Sequence, residues 1–439
     1  MAGRRVRTCA HSAPGWLYLA YACDAIENPL NQTTLRPSAG APTAPLRAPR
    51  RALSPAVRLL MATGASSYGD WLTTVALVVL LFRATHSPIG PAVYMIARVS
   101  PRLIGPFPGG ALADRYGPAR IAAGCAVIQG VFTASIVVFA ESRIIWPIFV
   151  AVALAQFFSS AAQPCYGALV PRVTDAVGLG RVQGAYAALN SSSLLVSPAI
   201  GALVLPFTAP EVLVAIDAGT FFVAGALLAT LAGVGDETSA RAGSSRGMSA
   251  GVPIVLHDPM LRFLAVAYLS NAAAVTALQA VLVVAADQRF GQDTAVGWLY
   301  AAIGAGSLLG TLPVIRKTPE RVGQKPIIAF TALELAPLAA FVFVTNIALA
   351  AALLFVCAVG STLYQTRGAV GLQQRVPREL LGRTSAVIRF AGYLGMVLGA
   401  VAAVSLVQPL GWESTVLIVC AVGATLLFIT AVSESDQPG

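Results

Sequence analysis

The sequence has few charged residues, and it lacks the residue clusters on which most enzymes and metal-binding proteins depend. Only 11% of its 439 residues are Asp, Glu, Lys or Arg, against about 25% in an average soluble protein. Its 3 His and 6 Cys form no Cys-x-x-Cys pair and no His cluster, so neither a zinc site nor a disulfide framework is expected. We therefore predict a protein with no catalytic residue, no metal and no cofactor.

The absence of two further sequence motifs excludes other classes of function. The chain contains no Gly-x-x-x-x-Gly-Lys-Ser/Thr phosphate loop, which excludes an ATP-driven pump on this single chain. The sequence also has no nucleophile triad, so it does not indicate a membrane-embedded enzyme. The net charge of +10 does not indicate nucleic acid as a partner, because the basic residues lie in loops between long apolar segments.

Long apolar runs make up most of the chain. Hydrophobic residues account for 56% of it, and they come in runs of about 20 residues or more, enough to cross a hydrocarbon core of about 30 Å as a helix. The sequence predicts an all-α protein in the lipid bilayer, with twelve transmembrane helices in two pseudo-symmetric six-helix halves. The predicted segments are 56–82, 88–112, 119–140, 144–170, 183–206, 211–233, 260–286, 294–315, 326–344, 347–371, 384–408 and 411–432.

Polar stretches divide the chain between and beyond these segments. Residues 235–247 are rich in Gly and Ser, which is typical of a flexible linker. The N-terminal stretch is rich in Pro, Ala and Arg towards its end and has no clean signal-peptide cleavage site, so it is predicted to be a disordered tail. The predicted parts are a cytoplasmic tail 1–53, an N-terminal half 54–233, a cytoplasmic linker 234–258, a C-terminal half 259–433 and a cytoplasmic tail 434–439.

The basic residues are unevenly distributed between the loops. Most of the 29 Lys and Arg residues lie in the N-terminal tail and in the loops after segments 2, 4, 6, 8 and 10. The opposite loops contain only Arg83, Arg143 and Arg289. Because basic loops stay on the cytoplasmic side, we expect a multi-pass protein of the plasma (inner) membrane with both termini in the cytoplasm.

The two halves resemble each other at equivalent positions. Residues 169–172 (Leu-Val-Pro-Arg) lead into segment 5, and residues 375–378 (Arg-Val-Pro-Arg) lead into segment 11. Repeated six-helix halves are typical of secondary transporters, whose substrate site lies between the halves near the middle of the membrane.

A short basic stretch between segments 2 and 3 identifies a family. Residues 110–117 follow the pattern Gly-x-x-x-Asp-Arg-x-Gly, which closely resembles the signature loop of the major facilitator superfamily. The resemblance extends from about Ser54 to Val432. Within the superfamily, the chain is most similar to the branch of drug and siderophore exporters that includes macrolide and enterobactin exporters, on residues 67–71 (Ser-Tyr-Gly-Asp-Trp), 98–101 (Arg-Val-Ser-Pro) and 168–171 (Ala-Leu-Val-Pro).

The resemblance implies a cytoplasmic gating loop, whose residues are Gly110, Asp114, Arg115, Gly117 and Arg120. Asp114 and Arg115 would latch the halves together, with Asp114 at the N-terminus of segment 11, where free N–H groups favour an anion. Gly110 and Gly117 would allow a close approach and a tight turn. Arg120 would pair with acids or lipid phosphates, although Pro118 replaces the usual basic residue of the family pattern. The alternative is a solvated turn that only obeys the charge rule for cytoplasmic loops.

A second motif resembles one found in exporters. Residues 197–201 (Ser-Pro-Ala-Ile-Gly) in segment 5 are similar to the Gly-Pro-x-x-Gly motif, with Ser197 in place of the first Gly. Pro198 and Gly201 would let this helix bend and let a neighbouring helix approach. Many proton-coupled drug antiporters also have an Arg in segment 4, but residues 150–162 contain none.

Ionisable residues inside apolar segments are candidates for coupling, because their cost usually places them beside a cavity. Asp70 lies near the middle of segment 1, and we predict that it is the protonation switch or the anchor of a cationic substrate, with Arg98 as its partner. The alternative is a fixed Asp70–Arg98 pair that only holds two helices together. Glu334 in segment 9 is a second coupling candidate or a structural residue. Asp217, Arg102 and Arg389 are expected to be packing or gate residues.

Uncharged polar residues in the segments are further candidates for the transport path. They are Gln163, Asn190 and Asn271, each of which has the alternative of a plain interhelical hydrogen bond. The sequence as a whole predicts a monomeric, proton-coupled exporter of small amphipathic compounds such as a drug, antibiotic or siderophore. Uptake by symport, or a membrane scaffold or sensor that transports nothing, are the alternatives.

Overall fold

The computed structural model describes residues 53–142, 144–174, 179–233, 251–291, 295–316 and 323–435. The described helices belong to one compact unit, Pro55–Gly439, and Met1–Ser54 is divided from it. The unit Pro55–Gly439 contains the twelve predicted segments. The predicted tails, except for Leu53 and residues 434 and 435, and most of the predicted linker lie outside the described residues.

All regular secondary structure in the described part of the chain is helical, which confirms the predicted all-α fold class. The helices are α1 Pro55–Thr85, α2 Ile89–Val99, α3 Pro106–Tyr116, α4 Pro118–Glu141, α5 Trp146–Val173, α6 Leu179–Val204, α7 Pro210–Ala229, α8 Val252–His257, α9 Pro259–Phe290, α10 Val296–Arg316, α11 Gln324–Phe341, α12 Ile347–Arg375 and α13 Arg378–Ser435.

Each of the twelve predicted segments coincides with helix. By length and composition alone, eight described helices are able to cross a membrane. The count differs from twelve partly because α13 merges segments 11 and 12 across a break at Gly411, where φ is 82°. Segment 2 is also divided, into α2, a 3-10 helix Ser100–Leu103 and α3. The eight helices are therefore consistent with twelve crossings.

Prolines explain why segment 2 is broken. Pro101, Pro106 and Pro108 each remove a backbone donor from the helix and clash with the preceding turn. The interruption places Arg102 in the 3-10 helix Ser100–Leu103.

Most of the predicted gating loop is helical, because the helix of segment 2 extends four residues beyond its predicted end at residue 112. Helix α3 continues to Tyr116, and the chain reverses at the single residue Gly117, whose φ of 88° is in the region that favours glycine. Pro118 then begins α4. The close approach predicted at Gly110 occurs at Gly109, where an added Cβ would overlap the backbone of Ala161.

The two halves contact each other towards one face of the bundle, and segment 2 shows this difference between the faces. We call the face with the loops after segments 2, 4, 6, 8 and 10 the Asp114 face, and the other the Ser87 face. Helix α2, in the Ser87 half of segment 2, packs on α9 and α13 of the C-terminal half, and α6 packs on α10. Helix α3, in the Asp114 half, packs on α4 and α5 of its own half, and Asp114 is exposed.

Glycines allow close contact between the halves at the Ser87 face. A Cβ on Gly297 of α10 would lie 2.8 Å from the carbonyl oxygen of Pro198 in α6. A Cβ on Gly304, two turns further along α10, would overlap the backbone at Leu195. These contacts join backbone to backbone, as is common where small residues line helix interfaces in membranes.

We predict that two glycines of α13 are required for the packing of the C-terminal half. Gly395 and Gly399 lie against the carbonyl oxygens of Leu269 and Ala273 in α9, where a methyl group would overlap backbone that is unable to rotate away. Gly395→Ala and Gly399→Ala should each destabilise the fold by about 1–3 kcal/mol, measured as a lower melting temperature of the purified protein in detergent.

Gly124→Ala in α4 provides the matched control. Nothing lies within 4 Å of a Cβ at Gly124, so this change makes no overlap while altering helix propensity in the same way. An equal melting temperature for Gly399→Ala and Gly124→Ala would contradict the predicted role of the close α9–α13 contact.

Candidate functional site

A cavity of about 580 Å³ lies between the N-terminal and C-terminal halves. Its wall includes residues of α1, α2, α5 and α6 from one half, and of α9, α10, α12 and α13 from the other. Five of the six residues predicted for the transport path line it. They are Asp70, Arg98, Gln163, Asn190 and Asn271.

Helical spacing explains how α1 presents a polar stripe to this cavity. Ser66 and Ser67 lie three and four residues after Thr63, and four and three residues before Asp70, so the four side chains share one face of the helix. Trp71 follows Asp70 on the edge of the same face and also lines the cavity. Segment 1 therefore contributes hydroxyls, one carboxyl and one aromatic ring to the wall.

Arg98 is buried and fixed beside segment 1 by three contacts. Its guanidinium donates hydrogen bonds to the hydroxyls of Thr74 and Tyr94, and it lies 5.2 Å from the centre of the Trp71 ring. Thr74 in turn donates to the backbone carbonyl of Asp70 at 2.6 Å. These contacts satisfy a cation inside the bundle without a direct acid partner.

The carboxylate of Asp70 lies close to two guanidinium groups. Arg98 and Arg102 both interact with it electrostatically, yet Asp70 and Arg98, both within the described chain, form no direct ion pair. Arg102 donates instead to the side-chain carbonyl of Gln156 at 3.1 Å. Asp70 is thus held in a positive environment while remaining in the cavity wall.

Asn190 both lines the cavity and joins two helices. Ser67 of α1 donates to its side-chain oxygen at 3.2 Å, and its own amide donates to the carbonyl of Tyr186 at 3.0 Å. On the same two helices, the neighbouring residue Tyr68 shares a hydrogen bond of 2.8 Å with Ser192. The predicted alternative of an interhelical hydrogen bond is therefore present at Asn190 together with its exposure to the cavity.

Asn271 and Gln163 are less tightly engaged. The side-chain amide nitrogen of Asn271 is buried and has no hydrogen-bond partner in the described part of the protein. Gln163 lines the cavity from α5. Both residues therefore offer polar groups to a bound compound from opposite halves.

Glu334 lies behind the cavity wall and does not line the cavity. It is completely buried in α11, and neither carboxylate oxygen has a hydrogen-bond partner within the residues described. Its neighbours on α12 include Cys357 and Tyr364, which do line the cavity. The predicted coupling role of Glu334 therefore requires communication through α12.

A second, smaller chamber of about 20 Å³ lies inside the N-terminal half. Asp70 and Arg98 line it as well as the main cavity, and Asp217 of α7 lies on its wall together with Gln129 and Gln156. Thr220 donates to the Asp217 carboxylate at 3.2 Å. The sequence predicted Asp217 as a packing or gate residue, and it did not indicate that α7 would bring this carboxyl into the neighbourhood of Asp70.

The predicted motif residues are divided between two regions. Asp114, Arg115 and Arg120 are exposed on the Asp114 face, and the Arg115 guanidinium lies 5.1 Å from the centre of the Tyr116 ring. Pro198 and Gly201 lie in α6 near the Ser87 face. A Cβ at Gly201 would lie 3.3 Å from the side chain of Val75 in α1, so this glycine serves packing within its own half.

We predict that Gly69 is required to accommodate the Asp217 carboxylate. A methyl group at Gly69 would overlap Oδ1 of Asp217, so Gly69→Ala should lower stability by about 1–3 kcal/mol and displace Asp217 from the chamber. Thermal unfolding of the purified protein measures the effect. Gly64→Ala, on the same helix, is the control, because its methyl group would make ordinary contact with Leu189 at 3.4 Å.

Adding Asp217→Ala to Gly69→Ala tests the cause. Removing the carboxylate removes the closest overlap and leaves only that with the Thr220 hydroxyl, 2.6 Å from the added Cβ, so the double variant should be destabilised by less than the sum of the two single variants. Additive losses would show that Gly69 acts through some other neighbour.

Comparison with known proteins supports a transporter. Multidrug efflux pump Tap of Mycobacterium tuberculosis is 26% identical over 404 residues, covering 87% of this chain and 95% of Tap. Multidrug efflux pump Tap of Mycolicibacterium fortuitum is 23% identical over 403 residues, covering 87% of this chain and 97% of that protein.

Solved structures share the fold at low sequence identity. A mutant of nucleoside transporter NupG matches with a TM-score of 0.71 at 13% identity, covering 86% of this chain and 99% of that one. A bacterial homolog of the human lysosomal transporter Spinster, in an inward-facing and occupied conformation, matches with a TM-score of 0.65 at 12% identity, covering 88% of this chain and 98% of that one.

The family model gives the assignment directly. The Major Facilitator Superfamily model matches residues 59–400 and, in a second overlapping match, residues 264–438. These ranges include both halves of the bundle and the cavity between them. The chain is a multi-pass membrane transporter that belongs to the Major Facilitator Superfamily.

Proposed function

We propose that this transporter exports small amphipathic compounds, such as drugs, antibiotics or siderophores, across the plasma membrane in exchange for protons. The observation that supports this most directly is the cavity between the halves, whose wall combines hydroxyl, amide, guanidinium and aromatic groups with one carboxyl, Asp70. Such a surface suits compounds with an apolar body and a few polar groups. The efflux activity named for the Tap relatives supports the direction of transport.

Transport in this proposal proceeds by alternating access. Contacts between the halves occur where α2 meets α9 and α13 and where α6 meets α10, while Asp114 is exposed at the opposite face. Rocking the halves would separate the contacts of α2 and α6 with the C-terminal half. It would also bring the gating loop towards the N-terminus of segment 11. We assign the Asp114 face and both termini to the cytoplasm, because the basic loops lie there.

Proton coupling is assigned to Asp70. Protonation would remove the negative charge that lies between Arg98 and Arg102 and would leave both guanidinium groups uncompensated. The change would alter how the cavity binds a charged or polar compound. By thermodynamic reciprocity the bound compound would alter proton binding at Asp70 by the same factor. Exchange of the compound for a proton follows if the protein changes which face is open only with one of the two bound.

We expect Asp70→Asn to abolish gradient-driven transport. The amide is nearly the same size but is unable to take up or release a proton at neutral pH. The assay uses inside-out vesicles that contain the protein, an imposed proton gradient, and a panel of lipophilic dyes, macrolides and siderophores. Wild-type protein should accumulate at least one compound in response to the gradient, and Asp70→Asn should reduce that accumulation to the level of empty vesicles.

Asp287→Asn is the control for the same chemical change, because Asp287 is exposed near the end of α9 and does not line the cavity. Unchanged transport and pH dependence in Asp70→Asn would remove Asp70 from the coupling mechanism. Gradient-driven accumulation in right-side-out vesicles but not in inside-out vesicles would favour uptake by symport over export.

We predict that Asp114 acts in the conformational change and not in binding. A carboxylate near a helix N-terminus contributes about 0.3–1 kcal/mol, so Asp114→Asn should reduce the transport rate about two- to fivefold while the affinity for the transported compound stays unchanged. Rates in vesicles and affinities in detergent separate the two quantities. Arg120→Gln should have a smaller effect, and equal effects of both variants would support the alternative of a solvated loop.

A further inference from the structure

The cavity wall has an excess of positive charge. Among the described residues that line it, the ionisable groups at neutral pH are three guanidinium groups, those of Arg98, Arg102 and Arg389, and one carboxylate, Asp70. The formal charge of the wall is therefore +2 with Asp70 ionised, and it becomes more positive when Asp70 is protonated. Glu334, which would offset this charge, lies behind the wall and outside the lining.

The three guanidinium groups differ in how they are engaged. Arg98 is buried and held by Thr74, Tyr94 and Trp71. Arg102 is half-buried and donates to the neutral side chain of Gln156. These two positions already have partners, and both lie close enough to Asp70 to interact with its charge.

Arg389 is the exception among the three. It is exposed along the cavity from α13, and it has neither a hydrogen bond nor an ion pair with any group in the described part of the chain. Its electrostatic neighbour is the phenol of Tyr268, which donates its own hydrogen bond to the carbonyl of Gln365 at 3.2 Å. Because a guanidinium carries five N–H donors and this one lines the cavity without a protein acceptor among the described residues, Arg389 is suited to bind an anion.

Aromatic groups lie next to Arg389. The rings of Tyr268 and Tyr364 are 5.3 Å apart in an edge-to-face arrangement, and Tyr393 and Met396 line the cavity one and two turns further along α13. This surface accommodates a flat apolar body beside the charged group. The combination points to a ligand that is apolar at one end and anionic at the other.

We infer that the transported compound has an anionic group (a carboxylate, sulfonate or phosphate) on an aromatic or apolar body, and that Arg389 binds that group. This inference rests on the proposed function, because it takes the cavity to be the site where the transported compound binds. A lipophilic cation, the other common charge class for an export cavity, would have to enter a wall with three guanidinium groups and only one acid. At low dielectric such like-charge contacts are costly.

Two dyes with the same xanthene core and opposite charge test the inference. Purified protein in neutral detergent without added lipid is titrated into 5-carboxyfluorescein, an anion, and into rhodamine 123, a cation, and fluorescence anisotropy gives each Kd. We expect wild-type protein to bind carboxyfluorescein at least about tenfold more tightly than rhodamine 123, since a charged hydrogen bond contributes about 1.5–3 kcal/mol and about 1.4 kcal/mol is tenfold.

Substitutions at Arg389 identify the group responsible. Arg389→Gln should weaken carboxyfluorescein binding about tenfold or more and leave rhodamine 123 binding unchanged or tighter. Arg389→Lys should have an intermediate effect, because it keeps the charge but loses the paired donors. Arg375→Gln is the matched control, because Arg375 is exposed at the end of α12, lies 4.0 Å from Asp258 and does not line the cavity.

Three results would overturn the inference: tighter or equal binding of rhodamine 123, an unchanged carboxyfluorescein affinity in Arg389→Gln, or no binding of carboxyfluorescein at all. An anionic lipid headgroup presents the same chemistry as an anionic substrate. Displacement of carboxyfluorescein by phosphatidylglycerol but not by phosphatidylcholine at equal concentration would assign Arg389 to lipid and would also overturn the inference.

The binding assay requires no gradient and no direction of transport, so its outcome is separate from that of the proposed function. Proton-driven export of rhodamine 123 from a protein without affinity for carboxyfluorescein would support the exporter proposal and overturn the substrate class. Binding of carboxyfluorescein that depends on Arg389, in a protein without gradient-driven transport, would do the reverse.

Discussion

The central constraint on this protein is the cost of placing charged side chains at the depth of a membrane, which is about 2.5–3.5 kcal/mol for an Arg or Asp at the middle of an inserted helix. The N-terminal half meets this cost with a connected set of groups. Arg98 is satisfied by two hydroxyls and an aromatic ring, Arg102 by an amide, and Asp217 by Thr220. Asp70 lies among them and interacts with both guanidinium groups.

The same constraint explains the use of glycine around this set. Gly69 leaves the space that the Asp217 carboxylate occupies, and Gly109 allows α3 to approach the backbone of α5 at Ala161. At the Ser87 face, Gly297 and Gly304 bring α10 against the backbone of α6. Without a hydrophobic driving force between helices in lipid, such close backbone packing is a main source of association. Polar groups are therefore concentrated at the centre, while small residues determine how the helices surround it.

The sequence was sufficient for the fold and for five polar residues of the cavity wall, because a membrane imposes strong rules on composition. The twelve apolar segments coincide with helices, and Asp70, Arg98, Gln163, Asn190 and Asn271 were identifiable as polar residues within those segments. What could not be predicted depends on helix rotation and on breaks. Residue spacing did not reveal that Glu334 lies behind α12, that Asp217 lies beside the chamber of Asp70, or that the prolines of segment 2 interrupt the helix. The close approach at Gly109 depends on where α5 passes, which the glycines of the signature pattern did not indicate.

Asp70 lies in the wall of both the main cavity and the smaller chamber. Asp70 and Arg98 line both the space between the halves and the chamber inside the N-terminal half. A change in charge at Asp70 therefore acts on a compound in the main cavity and on the polar core that holds α1 against α2 and α7. An anionic compound bound at Arg389 would reach the same carboxyl only through space, across the cavity from the opposite half. The two groups then interact by electrostatics alone, and any effect of the bound compound on proton binding at Asp70 is matched by an equal effect of the proton on binding of the compound. A single carboxyl in a positive cavity suffices for this linkage, so that coupling needs no direct contact between the compound and the acid.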